Sequence, residues 1–315
     1  MFSVSFQTAS IAVAQIFAMG ALGFYLVRSG IINELGLRLL SFLSVNVLFP
    51  LFIFNQIIKN FDVATIPFWW GFPLINISLA ITGLVVTFLI IQHRRNPLKD
   101  VFLATSSLHN AGYIPILMVA SLPLGIWAGK VYACVILSII GFDTCLWSIG
   151  VWLLTRSKSS RMDLRRMINP PLISMSLALI LSLSFGNHFM PELILKPIKI
   201  LGDAAMAVAM IVIGGNLALC NFARIAWVEL SGVVLIKLIV LPMITLLVLS
   251  VLKLNLLLSF VAILQACMPS SITLSIIGRN YETKNQDFVN QAIFMTHLLS
   301  MIIIPIFLGL YGKLM

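Results

Sequence analysis

"LHNAGYIPIL", residues 108–117, interrupts an apolar stretch with His109, Asn110, Gly112 and Pro115. The stretch is otherwise of the kind that crosses a bilayer as a helix, which takes about 20 mostly apolar residues. A proline inside such a helix removes one backbone hydrogen bond and pushes against the preceding turn. The carbonyls and amides it frees cannot face lipid, so they must face protein or a polar cavity. The segment therefore predicts a membrane helix broken near its middle.

The rest of the chain fits a membrane setting. Its 315 residues are 60% hydrophobic and 10% charged, with a mean hydropathy of +1.08. A soluble domain carries about 25% charged residues, and no water-soluble fold could hide this much apolar surface. The net charge of +10 does not indicate nucleic acid. The basic residues sit in short loops and at helix ends, and no aromatic-basic patch suits single strands. The four cysteines, Cys134, Cys145, Cys220 and Cys267, lie in apolar stretches with no CxxC pair. They read as small buried hydrophobes, with neither disulfide nor metal expected. No Lys or Arg precedes the first apolar run, so that run is expected to be a retained helix instead of a cleaved leader.

Ten spans are expected, at 9–28, 34–58, 66–92, 99–121, 129–154, 169–188, 196–219, 225–252, 255–278 and 285–312. The odd-numbered loops hold 13 of the 20 basic residues: Arg28, Arg38, Arg94, Arg95, Lys99, Arg156, Lys158, Arg161, Arg165, Arg166, Arg224, Arg279 and Lys284. The positive-inside rule then puts those loops in the cytoplasm and both termini outside. The longest hydrophilic stretch, "TRSKSSRMDLRRMINPP" (155–171), divides the spans five and five. The expected organisation is a first five-helix repeat at 1–154, a cytoplasmic connector at 155–168 and a second repeat at 169–315. An odd number of spans per half makes the repeats inverted, as in many secondary transporters. Sliding the chain by 154 residues places Pro115 on Pro269 and Asp143 on His297.

Each half thus has a penultimate span broken by proline. The expected fold is all-α, with broken helices four and nine crossing near the midplane. A half-helix N-terminus attracts anions through its free amides and its dipole. "LHNAGYIPIL" and "LQACMPSSITL" (264–274) are therefore expected to form two sides of one binding site. Asn110 and Gln265 would offer amide donors, Ser270 and Ser271 hydroxyls, and Gly112 a close backbone approach. The blander reading of Pro115 and Pro269 is a packed kink. His109 would line the crossing with or without touching cargo.

These motifs resemble the auxin efflux carrier family, which includes the plant PIN-formed exporters and bacterial permeases. That family stands among the bile acid, arsenite and riboflavin type transporters. "LIKLIVLPM" (235–243) and "LQACMPSSITLSIIGRNYETKNQDF" (264–288) look like its eighth- and ninth-helix region. "FPLFIF" (49–54), "LGDAAMAVAMIVIGGNLAL" (201–219) and "HNAGYIP" (109–115) look like its second, seventh and fourth helices. The resemblance implies a scaffold of helices 1, 2, 6 and 7, which often dimerises, and a mobile domain of helices 3–5 and 8–10. It implies elevator-type export of a small organic anion, a carboxylate, from a bacterial inner membrane. Asn110 matches the asparagine that contacts the cargo's carboxylate, and Pro115 and Pro269 match the crossover prolines. The chain departs from the plant members in its short connector. It departs also in a third helix with no acid, which argues against sodium coupling.

Charges inside a bilayer are costly and face protein or water. Asp143, Lys237 and His297 are the candidates for proton or ion coupling. Lys237 would alternatively be a counter-charge for the cargo, or would pair structurally with Asp143. The blander reading of His297 is a buried, satisfied histidine. No P-loop, HExxH or nucleophile elbow is present, so neither enzyme activity nor a cofactor is expected. The alternative to a carrier is a membrane receptor that binds an organic anion without moving it.

Overall fold

The structure is a computed structural model that describes residues 5–92, 97–155, 168–186, 189–222, 225–252, 254–280, 283 and 285–314. Between its two ends the expected connector lies outside the described residues. So do Arg94, Arg95, Arg156, Lys158, Arg161, Arg165, Arg166, Arg224, Lys253 and Lys284. Among the described residues the fold is all-helical, with one isolated bridge pair and no strand. In chain order the helices are α1 (Phe6–Arg28), α2 (Glu34–Asn60), α3 (Gly71–Ile91), α4 (Lys99–Ser107), α5 (Tyr113–Ser121) and α6 (Gly125–Thr155). They continue as α7 (Pro170–Phe185), α8 (Glu192–Ala218), α9 (Trp227–Leu252), α10 (Leu256–Ala266), α11 (Thr273–Asn280) and α12 (Gln286–Leu314).

Seven of these, α1, α2, α3, α6, α8, α9 and α12, are long and apolar enough to cross a membrane. α7 is shorter, and the fourth and ninth expected spans are each divided in two. The third helix begins at Gly71. The residues before it, where its span was expected to start at 66, form turns around Pro67.

Local sequence explains the helix ends. Ser5 and Thr8 form a capping box at α1. Asn169 caps α7 by accepting from the Leu172 N–H, and Pro170 and Pro171 follow in the first turn, where a missing N–H costs nothing. Single π turns interrupt α2 at Ser44–Leu48, α6 at Leu146–Gly150 and α9 at Ile236–Val240. Such turns cluster at functional sites.

Apolar side chains such as Leu89, Leu247 and Val251 are exposed, while Asn76, His109, Gln265, Thr296 and Lys237 are buried. That inversion is what a lipid-solvated bundle requires, because a polar group is satisfied only inside. Small residues let the helices approach. A Cβ on Gly214 of α8 would run into the Gly20 carbonyl of α1, and one on Gly141 of α6 into the Pro73 carbonyl of α3. Close approach of this kind drives helix association in membranes. Gly214→Val is therefore expected to cost about 1–3 kcal/mol or more through overpacking against rigid backbone. The check is a lowered melting temperature and early aggregation of the purified variant.

Candidate functional site

The two helix interruptions meet. α4 ends at Ser107 and α5 begins at Tyr113; α10 ends at Ala266 and α11 begins at Thr273. The Asn110 N–H donates to the Pro269 carbonyl at 2.8 Å, and the Ser271 N–H donates to the Leu108 carbonyl at 3.0 Å. His109 and Ser270 form an antiparallel bridge pair between them. Each break thus satisfies backbone groups that the other leaves open, which buried amides and carbonyls require.

Side chains brace the contact. The Gln265 Nε2 donates to the Ala111 carbonyl at 3.0 Å and to the Ser138 Oγ at 2.9 Å. The Ser270 Oγ donates to the Thr105 carbonyl at 2.7 Å. The Ser270 N–H donates to the Thr296 Oγ1 at 3.2 Å, which ties the second break to α12. Asn76 donates from Nδ2 to the Ser138 carbonyl, so its Oδ1 faces the His109 Nε2 at 3.0 Å. The His109 Nε2 therefore carries a proton and donates. The buried Lys237 ammonium donates to the Ser107 carbonyl, the last of α4, at 3.2 Å. A cation there complements the negative end of a helix dipole.

A cavity of about 650 Å³ reaches this junction. Asn110, Gly112 and Ser271 stand at the breaks, and Asp143 lies on its α6 wall. Phe42, Phe49, Phe142 and Trp147 supply apolar surface. Arg38, Asn169 and Asn216 come from the ends of α2, α7 and α8. Arg38 pairs with Glu34 at 3.2 Å and stays largely exposed. Asp143 accepts from the Asn169 Nδ2 at 3.3 Å. The Asn110 Nδ2 is buried without a hydrogen-bond partner.

A family model described as membrane transport protein matches residues 8–165 and again 154–308. The chain belongs to this membrane transport family, the auxin efflux carrier or PIN type. No curated protein matches the chain. Membership and the seven long apolar helices make it an integral multi-pass membrane protein of a transporter family.

Some of the residues expected at the site line the cavity and others do not. Asn110, Gly112, Ser271 and Asp143 share the cavity; His109, Pro115, Gln265, Pro269, Ser270, Lys237 and His297 do not line it. Gln265 and Ser270 are not free donors, because their N–H and O–H groups hold the crossing together. The half-helix amides are not all free either, since Ser271 spends its N–H on Leu108. Asp143 and Lys237 do not pair: one meets Asn169 and the other Ser107. His297 is buried with Nδ1 at 2.8 Å from the Ile293 carbonyl, but its Nε2 has no partner, so it is only half satisfied.

Pro115 and Pro269 are not equivalent. Pro115 is the third residue of α5, after its break, whereas Pro269 lies inside the second break. Sequence reasoning overlooked Arg38, Asn169 and Asn216 as lining residues, and Ser138, Thr105 and Thr296 as braces. The available signal was a polar residue inside an apolar run for the braces. For Arg38 it was hidden, because a loop-end arginine serves orientation equally well.

Proposed function

We propose that the protein is a secondary carrier for a small carboxylate, working by alternating access. The observation that carries this reading is the cavity that ends on two helix breaks bonded backbone to backbone. Broken helices crossing beside a cavity are the usual substrate site of inverted-repeat transporters. In this reading Asn110 donates to the cargo's carboxylate, and Gly112 and Ser271 shape the floor. Pro115, Pro269, Gln265, Ser270 and His109 support that floor without touching cargo. Lys237 and His297 stand behind the break and are positioned for structure more than for coupling.

The two-repeat, ten-span layout is part of the proposal. α2 and α8 are 27 residues each and start 158 residues apart, at 34 and 192. The twofold family match also favours two halves. The scaffold would be α1, α2, α7 and α8: α1 packs along α8, and α2 along α7 and α8. α3–α6 and α9–α12 would move as the elevator, with a homodimer formed through the scaffold.

The cavity walls beyond the breaks come from the starts of α2 and α7, the end of α8 and the C-terminal part of α6. Charge bias assigns those ends to the cytoplasm, so the conformation would be inward-open, with both termini outside a bacterial inner membrane. Export is the direction that the family resemblance suggests.

Thiol labelling tests the mechanism. In a cysteine-free background, Asn46→Cys should react with a membrane-impermeant reagent from the cytoplasmic side only, and cargo should change the rate. Equal labelling from both sides would indicate a pore and contradict the proposal. Arg38→Gln should weaken carboxylate binding roughly three- to tenfold at low salt and much less at high salt, as screened steering predicts. Titrations at two ionic strengths would check it.

A further inference from the structure

Asp143 is a carboxylate in the wall of a cavity proposed to receive a carboxylate. It lies one helical turn beyond Ile139 on α6, and Ile139 packs beside Gly112, where a Cβ would sit 3.8 Å from the Ile139 Cδ1. One turn of helix is about 5.4 Å. If the cargo's carboxylate came within about 6 Å of an ionised Asp143, at an effective dielectric of about 20, the repulsion would disfavour binding roughly a hundredfold. Something positive must therefore arrive with the cargo or already stand nearby.

The described residues place no cation against Asp143. Arg38 is engaged with Glu34, and Lys237 bonds the Ser107 carbonyl. His109 faces Asn76. The partner of Asp143 is the Asn169 amide, whose orientation is fixed, because its Oδ1 accepts the α7 capping bond from Leu172. Its Nδ2 is thus the end presented to the acid. A fixed donor on one carboxyl oxygen leaves the other oxygen for a positive group.

We infer that Asp143 receives an ammonium group of the cargo, so that the carrier's substrate is amphoteric: a small amino acid-like molecule. This rests on the reading that Asn110 takes the carboxylate. The cargo's remaining part would lie against Phe42, Phe49, Phe142 and Trp147, which favours an apolar or aromatic side chain. A cavity of about 650 Å³ has ample room for such a molecule.

Matched pairs test this by calorimetry on the purified full chain: phenylalanine against 3-phenylpropionate, and leucine against 4-methylpentanoate. The amino acid of at least one pair should bind ten or more times tighter than its deaminated partner. Asp143→Asn should bring the two within about threefold of each other. Tighter wild-type binding of the deaminated acids would overturn the inference while leaving the carboxylate reading intact. If that binding also strengthened on acidification in wild type and not in Asp143→Asn, a proton would be the positive partner in place of an ammonium. Binding of neither class would overturn both readings. The wild-type comparison decides the matter even if Asp143→Asn fails to fold.

Discussion

Asn110→Ala is expected to abolish useful transport while leaving the melting temperature nearly unchanged. Asn110 reaches the cavity floor, and its Nδ2 makes no hydrogen bond within the protein. Truncation therefore removes no internal bond made by that nitrogen. The backbone N–H that holds Pro269 survives in alanine. What the variant lacks is a donor to a charged ligand, an interaction worth about 1.5–3 kcal/mol. Binding should weaken roughly 10- to 150-fold. A binding titration beside a thermal melt separates the two effects: unchanged affinity would remove Asn110 from the site.

Gln265→Leu is expected to behave in the opposite manner. The substitution keeps the side chain's bulk but strips two donated bonds, to the Ala111 carbonyl and the Ser138 Oγ. Gln265 is fully buried, so no water replaces the lost donor. The Ser138 Oγ keeps the Asn76 Nδ2 as a donor, so the Ala111 carbonyl is the acceptor left short of this bond. Leaving a buried acceptor unpaired costs about 1–3 kcal/mol, and a loss of that size in stability should accompany any loss of transport. The melting temperature should fall clearly below that of Asn110→Ala. A stable Gln265→Leu protein would mean that the crossing is held by its backbone pairing alone.

The contrast between these residues shows what the sequence could and could not disclose. The break at 108–112 and its counterpart at 267–272 were legible because Asn, Gly, Pro and Ser have no business in a lipid-facing run. The long spans were legible from apolar length alone. The direction of each hydrogen bond was not. Asn110 and Gln265 are both amides beside a break, yet one is unpartnered at Nδ2 and the other is a brace. That depends on which face of α10 meets Ser138 on α6, a long-range packing result that local pattern does not encode.

The offset between the two proposed halves is hard to read from prolines for a related reason. Proline matching suggested 154 residues, whereas α2 and α8 are displaced by 158 at both ends. Prolines mark where a helix tolerates a missing donor, and Pro269 does so inside its break whereas Pro115 stands just after its own. Arg38 and Asn169 escaped notice because arginine at a helix end and asparagine at a cap each have a sufficient local reason to be there.

The most direct measurement is efflux from proteoliposomes. Vesicles holding the purified protein are preloaded with a mixed panel of carboxylates and amino acids, and the released molecules are identified by mass spectrometry. This readout also detects cargo that moves without net charge. The account predicts that one or a few related carboxylate-bearing molecules leave wild-type vesicles much faster than empty vesicles or vesicles with Asn110→Ala. Retention of the whole panel, with a ligand that still stabilises the protein against heat, would contradict it and identify a receptor.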